Sequence, residues 1–414
     1  MRFFKVGGYV RDYLLGRASQ DVDWVVTGST ETELMSNPPF YIKSFSKVGA
    51  EFPVFLSDQG EEWALARRES KNGVGYHGFA VEFGPEVTIE EDLSRRDLTI
   101  NAMAIEFFND GKTRVINVID PYNGQEDLKN KVLRHTSNAF ADDPVRVLRL
   151  ARFRARFGAE WKVSPDTVSL VSQMAKKGVL DELTAERVWK EMSRALMEPY
   201  PRLFFDTLLE CDALHVVFPE VYRLKTALES RRWHPEGDAY EHTMLVLTQA
   251  ASLFQDIEVR MGALCHDFGK GVTPRDKLPK HYGHDLAGVP IVENFCNRLT
   301  VPAKMRDRTM MATKYHMRMH DLDKLNSSTY VKMFMDMGAW NDPQMVYNLY
   351  WVGICDHRGR LGHENADVSS LHKIVSIWKS VSAIKFADVF PNGETNVNKI
   401  KEGLFKARVH AVKA

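Results

Sequence analysis

Cysteine is scarce in this chain, and its spacing excludes a disulfide framework. Four cysteines occur in 414 residues, at positions 211, 265, 296 and 355. They show neither C-x-x-C spacing nor the density of a disulfide scaffold, which fits a reducing compartment. We expect them to be core thiols.

Long apolar runs are also lacking. Nothing approaches the length of a membrane span, and Arg11 and Asp12 interrupt the only candidate for a signal-peptide apolar region. The hydrophobic share of 44% is nevertheless enough to bury substantial cores, and the length suggests roughly two to four domains. The sequence therefore predicts a soluble, cytoplasmic protein with no membrane partner.

Net charge is absent, because 55 basic residues balance 55 acidic ones. Global charge thus gives no support to nucleic-acid binding. A surface for RNA would have to come from local asymmetry.

The segment Lys5–Val26 carries the first chemical signal. It predicts a strand that ends at Gly7 and Gly8, a short helix from near Val10, and a second strand that contains Asp21 and Asp23. Residues i and i+2 of a strand share a face, so the two carboxylates would lie side by side and bind a hard cation such as Mg²⁺. Two such ions are a common device for in-line phosphoryl transfer.

The paired glycines add a phosphate to this picture. A backbone without side chains lets a triphosphate approach closely, and Arg11 would meet its charge. The alternative for each feature alone is ordinary: a solvated strand face and a turn.

Residues 1–128 alternate strand-like and helix-like segments and predict an α/β region. Strands are expected near Phe52–Leu56, Trp63–Ala66, Phe79–Phe83 and Arg114–Ile119, with a helix near Glu31–Met35. The polar, glycine-rich residues 67–78 predict a mobile loop, the alternative being a surface hairpin connection.

The segment Glu90–Ala102 has helical character. Four-residue spacing would place Asp97 and Asn101 on one face, with Arg96 beside them, where they could hold a ribose and a phosphate. The alternative is a charged, exposed helix.

After residue 124 the strand signals fade and helices are expected. In Ala141–Phe157, Asp143 and Pro144 form a good N-cap and first-turn pair. Arginines follow at spacings of three and four, at positions 146, 149, 152 and 156. They indicate either a solvated stripe or planar donors for a base edge and phosphates.

Histidines and aspartates gather between residues 234 and 357. Together, His242, His266, Asp267 and Asp356 offer the ligands of a His/Asp metal site, whose metal-bound water would hydrolyse a phosphoester. On a helix, neighbours such as His266 and Asp267 do not share a face, so distant partners are needed. The methionine-rich stretch Lys304–Met319 is assigned no chemistry.

Taken together, these motifs carry a family resemblance. A bacterial class II tRNA nucleotidyltransferase, or CCA-adding enzyme, has motifs similar to GGYVRD, DVDWVV, RRDLTINA, DPVRVLRLARF and ERVWKE, which occur here in that order. The segments LCHDFGKG, HYGHD and that around Asp356 resemble the HD hydrolase domain that some bacterial members carry.

The resemblance implies an α+β fold. A polymerase-β-like nucleotidyltransferase head with a mixed sheet would occupy residues 1–128, followed by an all-helical remainder. A neck and body at 129–225 would select the nucleotide and bind tRNA, an HD domain would span 226–365, and a helical segment 366–414. The loop at 67–78 would reposition the template for the final adenosine.

The resemblance also assigns roles in the head and neck. Gly8 and Arg11 would contact the triphosphate, Asp21 and Asp23 would bind catalytic Mg²⁺, and Arg96, Asp97 and Asn101 would hold phosphate and ribose. The family's nucleotide template is an E-D-x-x-R motif, which reads Asp142 to Arg146 here. Asp142 replaces the glutamate, while Asp143 and Arg146 would read the base and Arg149 and Arg152 would continue that face.

In the HD domain the implied ligands are His242, His266, Asp267 and Asp356. They would hold a transition metal such as Ni²⁺, with His266 and Asp267 catalytic. His284 is the favoured additional ligand, and His281 a weaker candidate.

The predicted function is addition of C, C and A to tRNA ends from CTP and ATP, with HD-domain phosphohydrolase activity (2′,3′-cyclic phosphodiesterase, 2′-nucleotidase and phosphatase). The protein would be a monomer or homodimer. Within the same class, an A-adding enzyme or a poly(A) polymerase is the alternative. Outside it stand an HD phosphohydrolase with a nucleotide-sensing head and an RNA-binding protein with an inert head.

Overall fold

The computed structural model describes residues 1–18, 22–48, 53–71, 79–108, 117–232 and 234–412. The chain forms two compact units. The first comprises Met1–Leu183 and Asp206–Ala213, and the second comprises Thr184–Phe205 and Leu214–Ala414.

A mixed sheet organises the first unit. The strands of the described residues are β1 (Arg2–Val6), β2 (Asp23–Thr27), β3 (Phe45–Val48), β4 (Val54–Ser57), β5 (Glu62–Leu65), β6 (Arg67–Lys71), β7 (Phe79–Phe83), β8 (Ala104–Phe107), β9 (Val118–Ile119), β10 (Val132–Leu133) and β11 (Lys162–Val163). Seven of them form the mixed sheet in the order β3-β4-β5-β2-β1-β8-β9, in which β2 and β5 are parallel.

The central strands bury both faces because apolar side chains occupy successive positions. Phe3 and Trp24 pack on one face, where Trp24 stacks on Trp63 with ring centroids 4.3 Å apart. On the other face, Phe4 and Val25 lie in a second apolar cluster. The sheet is therefore rigid at the end where β1 stops and β2 starts.

Helices surround this sheet and continue after it. Those of the first unit are α1 (Gly8–Leu14), α2 (Glu31–Ser36), α3 (Ile89–Ser94), α4 (Gly124–Asn130), α5 (Val145–Phe157) and α6 (Pro165–Lys176). The helix predicted over Glu90–Ala102 is wrong as a continuous element. It ends at Ser94, and a separate 3-10 helix follows at Thr99–Asn101.

The prediction of a loop for residues 67–78 is corrected in part. Arg67–Lys71 forms β6, which pairs antiparallel with β7. The polar composition of this stretch hid a strand, because a two-stranded ribbon needs no buried face along its length. Residues 72–78 lie outside the described part of the chain, as do Phe52 and Arg114 of two predicted strands.

The chain beyond residue 183 is helical. Its helices are α7 (Ala185–Met197), α8 (Arg202–Glu210), α9 (Leu214–Val217), α10 (Pro219–Arg223), α11 (Ala239–Leu253), α12 (Ile257–Cys265), α13 (His284–Arg298), α14 (Ala303–Met319), α15 (Ser327–Asp336), α16 (Gln344–Arg358), α17 (His372–Ser382), α18 (Phe386–Val389) and α19 (Val397–Ala411). The predicted order of a mixed sheet followed by helices is confirmed.

The cysteines lie in the core, as the sequence predicts. All four cysteines are buried and free, and burial raises the pKa of Cys265. Among the described residues, no helix is long and apolar enough to cross a bilayer.

Candidate active sites

A glycine turn opens the first site. Gly7 follows β1 with φ of 68°, a left-handed conformation that favours glycine, and α1 begins at the next residue, Gly8. A Cβ on Gly7 would lie 2.9 Å from Nη1 of Arg96 and 3.8 Å from Oδ2 of Asp23. A side chain at this position would displace the guanidinium of Arg96.

Asp23 begins β2 and is exposed at the mouth of a small cleft of about 140 Å³. Arg67, Arg95 and Arg96 also line this cleft. The strand β2 begins at Asp23, and whether Asp21 shares a face with Asp23 stays a prediction. Asp21 lies outside the described residues.

Glu62 is an acidic neighbour that sequence reasoning missed. It is exposed, lines the same cleft, and is the register partner of Asp23 across the parallel strands β2 and β5. The sequence shows only an acidic residue at the start of a strand. Its position beside Asp23 becomes apparent only when the pairing of β2 with β5 is known. Two carboxylates flanked by guanidinium groups suit a divalent cation and an anionic ligand.

A buried carboxylate pairs with two of the three arginines that line the cleft. Asp92 is fully buried and accepts from Arg95 Nη2 at 2.7 Å and Arg96 Nη2 at 3.1 Å. Burial alone would raise the pKa of Asp92, but the two guanidinium charges lower it. Arg96 is thereby oriented toward Gly7.

Four predicted nucleotide-binding residues bind one another. Arg11 donates from Nη1 to Oδ1 of Asn101 at 2.7 Å, Asn101 donates to Oδ1 of Asp97 at 3.0 Å, and Arg149 donates from Nε to Oδ2 of Asp97 at 2.7 Å. Burial alone would raise the pKa of Asp97, but the charge of Arg149 and these hydrogen bonds lower it to about 2. Arg11, Asp97 and Asn101 are buried, so the network is part of the fold.

The arginine row of α5 is solvated only at its end, where Arg156 is exposed. Arg152 is buried, and Arg146 donates from Nη1 to the carbonyl of Ala139, in the 3-10 helix Asn138–Asp142. The predicted N-cap is displaced by one residue, because the helix begins at Val145 and Pro144 is its N-cap; Asp143 accepts from the amide of Val145 at 3.1 Å. Asp143 and Arg146 therefore lie together at the start of α5.

A second site lies in the helical unit. Histidine and carboxylate groups come from four helices and the end of a fifth, and form two triads whose ligand atoms lie within 4.8 Å of one another. The triads are His242, His266 and Asp356, and Asp267, His284 and His316.

The end of α12 explains how adjacent residues serve one site. The helix stops at Cys265, and Asp267 leaves helical geometry with φ of −106° and ψ of 11°. His266 and Asp267 are therefore not bound by the helical rule that separates the faces of neighbours. The expectation that both lie on a helix is wrong for that reason.

Asp267 belongs to the second triad and also lies close to two members of the first. Its Oδ2 is 3.2 Å from Nε2 of His266 and 3.6 Å from Nε2 of His242. Its Oδ1 is 3.2 Å from Nε2 of His284 and 3.3 Å from Nε2 of His316. One carboxylate thus faces both ligand sets.

Backbone contacts orient the imidazoles of His266, His284 and His316. In each ring, Nδ1 lies 2.7–2.8 Å from the carbonyl three residues earlier. A hydrogen bond at Nδ1 fixes the tautomer and leaves the Nε2 lone pair for a metal.

The same site contains orphaned polar atoms. Nε2 of His266 is buried without a hydrogen bond among the described residues, and Oδ1 of Asp267 faces only imidazole Nε2 atoms, whereas Oδ2 of Asp267 lies 2.6 Å from Nζ of Lys270. Buried polar atoms are normally paired, so these atoms fit a bound cation.

The charge state of the site also suits a metal. Burial alone would raise the pKa of Asp356, but His320 and His242 hold it well below its ordinary value. Burial lowers the pKa of His242, yet hydrogen bonds to Asp356 and Glu236 raise it to about 9. A cation that binds here must displace that proton.

Three further histidines, His281, His316 and His320, differ in their relation to the two triads. His281 joins neither triad, since its Nδ1 is 2.8 Å from Thr273 Oγ1 and its Nε2 is 3.0 Å from the Leu228 carbonyl. His316 was missed within the methionine-rich stretch, as was His320, whose Nε2 is 2.8 Å from Asp356. Their i, i+4 spacing on α14 was the available signal.

Three family models match successive parts of the chain. Residues 3–134 match the Poly A polymerase head domain, residues 161–224 the model described as "Probable RNA and SrmB-binding site of polymerase A", and residues 239–378 the HD domain. The chain therefore carries, in this order, regions that match a poly A polymerase head domain, a polymerase RNA-binding region and an HD domain.

Solved structures extend this comparison over the whole length. An apo CCA-adding enzyme is 20% identical with a TM-score of 0.68, covering 100% of this chain and 88% of that one. A Thermotoga maritima CCA-adding enzyme complexed with tRNA is 19% identical with a TM-score of 0.63, covering 99% and 87%. One from Bacillus stearothermophilus in complex with CTP is 21% identical with a TM-score of 0.62, covering 99% and 88%. The chain has the fold of a CCA-adding enzyme, and the resemblance of its motifs is confirmed.

Proposed function

We propose that this protein adds C, C and A to the 3′ end of tRNA from CTP and ATP. The observation that carries the proposal is the cleft in which Asp23 and Glu62 lie side by side while Arg96 approaches Gly7. Carboxylates and cationic donors that line one small cleft match the metal and the phosphates of a nucleoside triphosphate.

The residues of the head would act by binding and orientation. Mg²⁺ held by Asp21 and Asp23, with Glu62 beside Asp23, would supply charge neutralisation for transfer of the α-phosphate to the tRNA 3′-hydroxyl. Arg96 and the Gly7–Gly8 backbone would bind the triphosphate, with Arg11 supporting them through its bond to Asn101. No covalent enzyme intermediate is required.

Base selection is assigned to the start of α5. Asp143 would accept from the nucleobase and Arg146 would donate to it, with Asp142 in the place of the family's glutamate. The network through Asp97 and Arg149 would hold this helix beside the ribose site. Similar proteins solved with CTP and with ATP support these substrates.

A second activity is proposed for the HD site because its orphaned atoms fit a metal. A transition metal such as Ni²⁺, held by His242, His266, Asp267 and Asp356, would supply a water nucleophile for phosphoester hydrolysis at neutral pH. His284 and His316 would complete a second ligand set around Asp267. We propose 2′,3′-cyclic phosphodiesterase, 2′-nucleotidase and phosphatase activity.

The wider assignment follows the predicted parts of the chain. We propose a head at 1–128, a neck and body at 129–225, an HD domain at 226–365 and a helical segment at 366–414. The protein would work in the cytoplasm as a monomer or homodimer. Product sequencing after incubation with CTP, ATP and Mg²⁺ tests the proposal against an A-adding enzyme, a poly(A) polymerase and an inert head.

A further inference from the structure

The cleft at the HD site carries a guanidinium without a partner. Arg360 follows α16, which bears Asp356, and lines the same cleft of about 600 Å³. Its Nε is buried and makes no hydrogen bond, and the structure, where it describes the chain, gives its side chain no ion pair. Since buried donors are nearly always paired, this one indicates an absent acceptor.

Other charged groups of the cleft define which acceptor fits. Arg318 also lines it. Five carboxylates line the cleft: Glu229 and Asp267 pair with Lys270, Asp356 pairs with His320, Asp321 pairs with Lys324 at 2.6 Å, and Asp285 lies on α13. Arg360 is therefore well placed for an external anion. A guanidinium fork matches two oxygens of a phosphate and keeps its charge at every physiological pH.

The rim offers a different kind of surface. Tyr282 lines the cleft with 89% of its surface exposed, and Met317 lines it with 42% exposed. An aromatic ring at the edge of a phosphate-binding cleft is suited to stacking on a nucleobase, which presents a π-face whatever its identity.

We propose that Arg360 binds the phosphate of the HD-site substrate and that Tyr282 stacks on its base, so that these two residues determine the specificity of the site. This inference rests on the proposed phosphohydrolase function. Arg360 binds oxygens of the phosphate, and the two ligand triads line or adjoin the same cleft. Tyr282 gives the cleft its preference for a nucleoside over a bare phosphoester.

The role of Arg360 is tested by binding, without any need for turnover. Calorimetric titration of the full chain with orthophosphate should show affinity at least about tenfold weaker in Arg360→Gln, because a charge-assisted pair is lost. Arg360→Lys should recover part of the loss. The matched control is Arg306→Gln, whose guanidinium pairs with Asp307 away from the cleft; it should bind as the wild type does.

Unchanged phosphate affinity in Arg360→Gln, or no binding by the wild type, would overturn the assignment of Arg360. Circular dichroism establishes that each variant is folded. If Arg360→Gln does not fold, Arg360→Lys decides: affinity equal to that of the wild type counts against a bidentate contact.

The role of Tyr282 is tested with two substrates that differ only in the base. Tyr282→Ala should raise KM for 2′,3′-cyclic AMP roughly tenfold, as loss of one stacking contact predicts, and leave kcat close to its original value. KM for the base-free 1-O-methylribose 2,3-cyclic phosphate should not change, and Tyr282→Phe should behave as the wild type.

An equal effect on both substrates would contradict stacking. If the wild type hydrolyses neither, the phosphohydrolase function fails and the nucleoside preference fails with it. The orthophosphate titration still decides the role of Arg360 in that case.

Discussion

Arg149 donates from Nε to Oδ2 of Asp97 at 2.7 Å, joining helix α5 to the segment that leads into the 3-10 helix at Thr99–Asn101. Asn101 binds the other oxygen of the same carboxylate. Residues that the sequence assigns to ribose and to base thus form one buried network. The geometry of nucleotide binding and the stability of the first unit depend on the same contacts.

Asp97→Asn should therefore lower stability in a pH-dependent way. The folded pKa of Asp97 is depressed from 3.8 to about 2, so the ionised group contributes stability above the unfolded value and loses it as pH falls through the folded value. The contribution is about 2 kcal/mol. Calorimetric midpoints of wild type and variant should differ most at pH 5–7 and converge between pH 4 and pH 2.

A midpoint difference that stays constant over that pH range would mean that Asp97 is not held ionised by Arg149. Glu106→Gln serves as the control, because Glu106 forms a surface ion pair with Arg2. Ion pairs at the surface contribute little to the free energy of unfolding.

Asp23→Ala, and likewise Asp21→Ala, should abolish nucleotide addition while leaving the fold intact. Asp23 is exposed at the start of β2, so its removal empties no core, but it takes away a metal ligand. Loss of one electrostatic contribution of this kind typically costs about a hundredfold or more in rate. Incorporation of labelled CTP into tRNA, with Glu106→Gln as control, measures it; more than roughly a tenth of wild-type activity would sink the two-metal assignment.

Arg146→Ala should relax base choice more than it slows incorporation. A bidentate base contact is worth about 1–3 kcal/mol of discrimination, and Arg146 also holds the carbonyl of Ala139 at the start of α5. The measurement compares incorporation of CTP and ATP with that of UTP and GTP. Arg156→Ala, an exposed arginine of the same helix, should leave selection unchanged.

Continued exclusion of UTP and GTP by Arg146→Ala would reduce this residue to a structural contact. Equal relaxation in Arg156→Ala would assign the effect to the whole helix.

The two chemistries should be separable. The HD ligands belong to the second unit and Asp23 to the first. His266→Ala or Asp267→Ala should abolish metal-dependent hydrolysis of 2′,3′-cyclic AMP and leave CCA addition near wild type. Asp23→Asn should do the reverse, and His410→Ala, exposed on α19, should change neither.

Hydrolysis retained by the double variant His266→Ala, Asp267→Ala would contradict the HD assignment. Loss of nucleotide addition to the same extent as hydrolysis would contradict two independent sites.

Sequence reasoning found the α/β head, the helical remainder and the residue types of both sites because strand alternation and His-Asp chemistry are local signals. It missed Glu62, whose place beside Asp23 depends on parallel pairing between strands almost forty positions apart. It assigned one helix to Glu90–Ala102. In the structure Asp97 lies between α3 and the 3-10 helix at Thr99–Asn101, and its carboxylate accepts hydrogen bonds from Asn101 and Arg149. Contacts between distant segments, not propensity, decide both cases.

The HD site shows the same limit. His316 lies in a stretch rich in methionine, and only its approach to within 3.3 Å of Asp267 marks it as a candidate ligand. His281 has the right residue type, but both ring nitrogens have partners elsewhere. Residue type and spacing select candidates, whereas the hydrogen bonds of the folded chain choose among them.

The central claim is template-independent synthesis of CCA, and one measurement tests it most directly. Transfer RNA that lacks its 3′ end is incubated with the protein, CTP, ATP and Mg²⁺, and the product ends are sequenced. The account predicts ends that read CCA and stop there. Unextended tRNA, addition of A alone or a run of adenosines would contradict it.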